Sequence, residues 1–122
     1  MPDPNFVLLY VDNPPSSATF YADLLGKQPV ESSPTFAMFA LSSGVMLGLW
    51  YRPNVQPAAT STGGGELAIA VADRDAVETT HADWSKRGVK IAQAPTDMDF
   101  GHTFVALDPD GHRLRVFAPS AA

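Results

Sequence analysis

His81, His102 and His112 are the only imidazoles in the chain, and imidazole is the first group to weigh for metal binding or general-base work. Their settings differ. His81 falls in a helical pattern, and His112 directly follows a turn glycine, Gly111. His102 alone adjoins the expected cleft and is the candidate. Other familiar arrangements are missing. There is no Ser-His-Asp order with a nucleophile elbow, Gly63-Gly64-Gly65-Glu66 lacks the lysine of a phosphate-binding loop, and no His-Glu-x-x-His occurs. Nothing specifies covalent or phosphoryl chemistry.

What remains is chemistry of flat, apolar contact. Trp50 ends a strand-like run just before a loop, where an indole can stack on a planar ligand in an apolar cleft or serve as a core or interface residue. Strand alternation puts Met46, Gly48 and Trp50 on one face and Leu47 and Leu49 on the other. Gly48 either packs simply or lets a ring approach the backbone closely. Phe6, Phe36, Met38, Tyr51, Phe100 and Phe104 are further aromatic or soft residues for core or cleft. Asp97-Met98-Asp99-Phe100-Gly101 reads as a loop over the cleft, or as an ordinary acidic surface loop.

These residues must be held by a small frame. At 122 residues and 45% apolar composition the chain fits one domain, 1–122. Without cysteine it has neither disulfides nor thiolate metal sites, which fits a cytoplasmic address. The start, Met1-Pro2-Asp3-Pro4-Asn5, lacks the basic and apolar regions of a signal peptide, and no apolar run reaches the ~20 residues of a membrane span. A net charge of -5 with eight scattered Lys and Arg offers nothing to neutralise phosphates, so neither nucleic acid nor membrane is expected as a partner.

Asn5–Val11 reads as a buried strand ending at Asp12-Asn13-Pro14-Pro15. Ser16–Leu25 carries Phe20, Tyr21, Leu24 and Leu25 on one helical face, with Gly26 as a C-cap. Strands follow at Gln28–Ser32, Thr35–Leu41 and Val45–Tyr51. After a connector at 52–65, with Pro53, Pro57 and the Gly63–Gly65 run, the order repeats. A strand at Leu67–Val71 leads to Asp73 as N-cap, then a helix with Ala76, Val77, Thr80 and Trp84 on one face before Gly88. Val89–Gln93, His102–Leu107 and His112–Ala118 are the last strands, the final two joined by the turn Asp108-Pro109-Asp110-Gly111. The result is an α+β fold of two βαβββ modules, 5–51 and 66–118. Neither half of such a repeat buries its sheet face alone, so the halves should pair, within a chain or between chains.

The run Gly101-His102-Thr103-Phe104-Val105-Ala106-Leu107-Asp108-Pro109-Asp110-Gly111-His112-Arg113-Leu114-Arg115-Val116 resembles the ending of the vicinal-oxygen-chelate superfamily, which includes glyoxalase I, extradiol dioxygenases and bleomycin-resistance proteins. Val11-Asp12-Asn13, Ala18-Thr19-Phe20-Tyr21 and Leu24-Leu25-Gly26 resemble its first strand and helix. The likeness spans nearly the whole chain and implies a curved mixed sheet of the glyoxalase/bleomycin-resistance type, as a homodimer. Among members that bind antibiotics without metal, the similarity is to phenazine-resistance proteins, through Leu8-Leu9-Tyr10-Val11, Gly48-Leu49-Trp50 and Phe100-Gly101-His102-Thr103-Phe104.

Enzymes of the superfamily hold a divalent ion with His and Glu from the first and last strand of each module. By resemblance those positions are Phe6, Gly48, Glu66 and Arg115. Only Glu66 is a ligand type, and a guanidinium has no lone pair to give. The resemblance therefore implies no metal and no cofactor, with Glu66 and Arg115 facing one another as an ion pair or as contacts for a polar ligand group. The expected function is metal-free sequestration of a small planar aromatic antibiotic or toxin, with Phe6, Met46, Gly48, Trp50, Glu66, Phe100, His102, Phe104 and Arg115 as ligand-binding residues. The alternatives are a metal-dependent lyase or dioxygenase, and a metal-free enzyme using His102, Glu66 or a loop aspartate as proton carrier.

Overall fold

The computed structural model describes residues 4–56, 58–60 and 65–120, and the expectations for Met1–Asp3, Pro57, Gly63 and Gly64 lie outside them. The chain divides into two compact units, Met1–Thr62 and Gly63–Ala122. Each is a β-α-β-β-β module, as the repeat required.

The first unit runs β1 (Phe6–Val11), α1 (Pro14–Leu25), β2 (Glu31–Ser32), β3 (Phe36–Ala40) and β4 (Met46–Tyr51), with a 3-10 turn at Arg52–Asn54. Its sheet order is β1-β4-β3-β2, with β1 parallel to β4 and the other neighbours antiparallel. The helix starts two residues earlier than its apolar pattern predicted. Asn13 caps it by accepting from the Ser16 amide at 3.0 Å, and the prolines occupy the first turn, where a missing N–H costs nothing. Gly26 closes it in the left-handed region at φ 65°. The face turned inward is Pro14, Ser17, Ala18 and Tyr21, which leaves Phe20, Leu24 and Leu25 half-buried.

Alternation then sorts the sheet. Val11, Ala37, Phe39, Leu47 and Leu49 are fully buried or nearly so, on the parity that meets α1. The opposite parity of β1 is open: Phe6 is 54% exposed, Leu8 44% and Tyr10 37%. The expectation of a buried strand is thereby corrected for this face. One helix covers only one side of a sheet.

The second unit runs β5 (Glu66–Ala70), α2 (Arg74–Lys86), β6 (Lys90–Met98), β7 (Gly101–Leu107) and β8 (Arg113–Pro119), in sheet order β5-β8-β7-β6 with the same pattern of directions. Asp73 caps α2 by accepting from the Ala76 amide at 2.9 Å. Val77 and Trp84 are buried, and the Trp84 and Phe104 rings meet edge to face at 5.4 Å. In the Asp108–Gly111 turn, the Asp108 carboxylate accepts from the amides of Asp110 and His112 at 2.9 and 2.8 Å.

One segment differs from its reading. β6 continues to Met98, with register shifts between Ile91 and Gln93 and between Gln93 and Thr96, so Asp97 and Met98 are strand and only Asp99-Phe100 turn. The edge position of β6 tolerates Pro95 and those irregularities. The expected loop is thus a tight hairpin. No helix among the described residues is long and apolar enough to cross a membrane.

Candidate functional site

In the second unit the parity facing away from α2 carries a shallow concavity of about 440 Å³, lined by Glu66, Ala68, Phe100, Arg115 and Phe117. Strand register explains the grouping: β5 sets Ala68 beside Arg115, and β7 sets Thr103 beside Phe117. Arg115 Nε donates to Glu66 Oε2 at 2.6 Å, and its Nη1 donates to the Thr103 hydroxyl at 3.2 Å. That hydroxyl in turn donates to the Val116 carbonyl at 2.9 Å. The Arg115 side chain is 16% exposed and that of Glu66 34%, so a charge-assisted bond is held in a partly dry place.

The aromatic wall stands over this pair. Phe100 and Phe117 meet edge to face with centroids 5.9 Å apart, and the Arg115 guanidinium carbon lies 5.4 Å from the Phe100 centroid. The turn that carries Phe100 is anchored by the Ser120 amide, which donates to the Phe100 carbonyl at 2.8 Å. Rings beside a neutralised ion pair can hold a flat molecule and give it polar partners at one edge.

In the first unit the corresponding sheet parity holds Met46, Gly48 and Trp50, as alternation predicted, and Phe6 lies beside Met46. Register adds Leu8, Tyr10, Phe36 and Met38, and Tyr10 meets Trp50 edge to face at 6.3 Å. The space over Gly48 is already used. A Cβ there would lie 2.4 Å from Leu8 Cδ2 and 3.1 Å from Phe36 Cζ, so the ring lying close to this glycine is the chain's own Phe36.

His102 and Phe104 are placed elsewhere than expected. Both sit on the helix-covered parity of β7, opposite the concavity, whose position between them belongs to Thr103. Phe104 is fully buried against Trp84 and His81. His102, 8% exposed, directs Nδ1 to Asp97 Oδ1 at 2.7 Å and Nε2 to Glu78 Oε2 at 2.8 Å, and Arg74 Nη1 also reaches Asp97 Oδ1 at 2.8 Å. The hydrogen bond to Glu78, then that to Asp97, raises the His102 pKa above its ordinary value, against burial and Arg74. The bond to His102 chiefly lowers the Asp97 pKa. With a carboxylate at each nitrogen the geometry favours the protonated ring, which can donate to both, and neither nitrogen faces the cleft.

Sequence reading missed Phe117, Ala68 and Thr103, although Phe117 stands two residues from Arg115 and shares its face by simple alternation. Glu78 carries no local signal, because its partner lies 24 residues away.

A family model described as the Glyoxalase/Bleomycin resistance protein/Dioxygenase superfamily matches residues 4–116. The chain belongs to this superfamily. Among its relatives, the phenazine antibiotic resistance protein EhpR of Enterobacter agglomerans is 32% identical over 117 residues, covering 93% of this chain and 89% of that protein. A protein of Agrobacterium tumefaciens solved in solution by NMR is 54% identical, with TM-score 0.90, covering 99% of this chain and 100% of the other. A glyoxalase-related enzyme from Fulvimarina pelagi, 22% identical, shares the fold with TM-score 0.83, over 97% of this chain and 88% of its own. At the four positions that the resemblance assigns to a divalent ion, Phe6 and Gly48 offer no side-chain donor and Glu66 is bonded to the Arg115 cation, a set that does not fit such an ion.

Proposed function

We propose that this superfamily member binds a small planar aromatic compound of the phenazine type without metal and protects by sequestration. The carrying observation is the concavity in which Phe100 and Phe117 stand over the Glu66–Arg115 pair. The 32% identity to a phenazine antibiotic resistance protein supports the ligand class. In this reading Phe100, Phe117 and Ala68 supply apolar contact, and Glu66 and Arg115 meet polar edge groups. Trp50, with Phe6 and Met46 beside it, provides a second apolar surface for stacking, while Gly48 is covered by the chain's own Leu8 and Phe36. The working form is a cytoplasmic homodimer with two equivalent pockets.

Sequestration acts by mass action, so it needs abundance and a low Kd but no turnover. The test is a tryptophan-fluorescence titration of metal-stripped protein with a panel of phenazines, followed by mass spectrometry of the recovered compound. Saturable quenching with an unaltered phenazine is expected. Binding that appears only after a divalent ion is added, or a chemically altered phenazine, would replace the reading with an enzyme.

A further inference from the structure

The His102 cluster serves no part of the concavity directly, yet it lies at the base of the hairpin that does. Asp97 and His102 are register partners across β6 and β7, followed inward by Met98 and Gly101 and then by the Asp99-Phe100 turn. The second carboxylate, Glu78, stands on α2. The ring therefore ties three elements at one point, with both nitrogens engaged within 2.8 Å. We propose that His102 is a positioning residue: protonated, it clamps β6 and β7 to α2 and so holds Phe100 in place over Arg115 and Phe117. The inference rests on the proposed use of the concavity for aromatic binding.

The geometry makes the clamp depend on charge. Removing one ring proton turns a donor into a lone pair aimed at a carboxylate oxygen, and one of the two contacts becomes repulsive. The charged and titratable groups around the ring come from two elements. From α2 they are Glu78, Arg74 beyond Asp97, and His81, whose own ring lies on Phe104 and whose Nε2 is 3.4 Å from the Ser85 hydroxyl. From β6 comes Asp97, while β8 places the uncharged Ala118 opposite His102. On the far side of the turn, the Ser120 amide and hydroxyl donate to the Phe100 and Asp99 carbonyls, bonds that contain no titrating group, so a released clamp loosens the turn from its β6 side. Because the folded-state pKa of His102 is raised, the clamp is complete below the ordinary histidine value of 6.5 and is lost as pH rises through the higher folded value.

Two measurements separate this inference from the proposed function. In ligand-free protein, NMR titration of the His102 ring and of the Asp99 and Phe100 amides should give one shared midpoint, moved to lower pH together in Glu78→Gln. Turn amides without a step at the ring's midpoint, or amides that keep the wild-type midpoint in Glu78→Gln, would overturn the positioning role whatever the protein binds. Affinity for phenazine should then fall several-fold as pH rises through that midpoint, with the step displaced in Glu78→Gln. Binding of phenazine that is flat across a pH range in which the turn amides titrate would overturn the link from clamp to pocket. Absence of phenazine binding at every pH, with the amides still titrating together, would sink the proposed ligand and leave the clamp standing.

Discussion

The two sheets have the same strand order, the same directions and one helix each, yet their helix-free faces hold opposite chemistry. In the first, Gly48 sits among Leu8, Phe36, Met38, Met46 and Trp50, all apolar. In the second, Arg115 sits among Glu66, Thr103, Phe100 and Phe117, with charge neutralised in pairs. Topology dictates only which positions share a face. Side chains decide whether that face is filled by rings or by an ion pair, and so what each can hold.

Filling the glycine position should have the largest effect. Gly48→Val drives methyl groups into Leu8 and Phe36, and overpacking of this kind costs about 1–3 kcal/mol, read as a lower urea midpoint with unchanged slope. A melting curve like wild type would mean that the apolar face is looser than the contacts indicate.

Emptying the charged position should cost less. Arg115→Met leaves Glu66 without its cation, and because that carboxylate is 34% exposed the loss is reduced from the buried-pair range to about 1–2 kcal/mol. The double change with Glu66→Gln should recover part of it in a double-mutant cycle. Additive losses would show that the two residues act separately.

Trp50→Ala sharpens the comparison further, because the half-buried indole should matter more for phenazine than for folding. An affinity drop of about tenfold, ~1.4 kcal/mol, is expected in titrations of a variant that stays folded. Unchanged affinity would remove the first sheet's aromatic face from the ligand site. The smallest effect should come from metal. Neither chelator nor added Mn, Ni or Zn should move the melting temperature by more than about 1 °C, and a clear concentration-dependent rise would contradict the donor-set argument.

Much of this was legible early. The Val77 and Trp84 stripe of α2, the Asp73 cap, the Gly26 stop and the Asp108–Gly111 turn are local signals, and each appears in the structure, whereas α1 turns inward a face that shares only Tyr21 with its apolar stripe. The Glu66–Arg115 contact was reachable from the resemblance, since it pairs the first and last strands of one module. What misled was parity and edge behaviour. His102 and Phe104 were assigned to the cleft because they lie in its strand, but the residue between them faces it. Asp97–Gly101 looked like a loop because acidic residues and a glycine usually end strands, whereas an edge strand with register shifts absorbs them.

By itself the sequence determined the elements, their repeat and the residue types at equivalent positions, because periodicity, capping and turn chemistry act over a few residues. Only the tertiary structure decided which parity of each strand lies under its helix, that Leu8 and Phe36 fill the space over Gly48, and that His102 joins Glu78 to Asp97. Those outcomes depend on groups brought together from distant parts of a module, and no local pattern encodes the register that joins them.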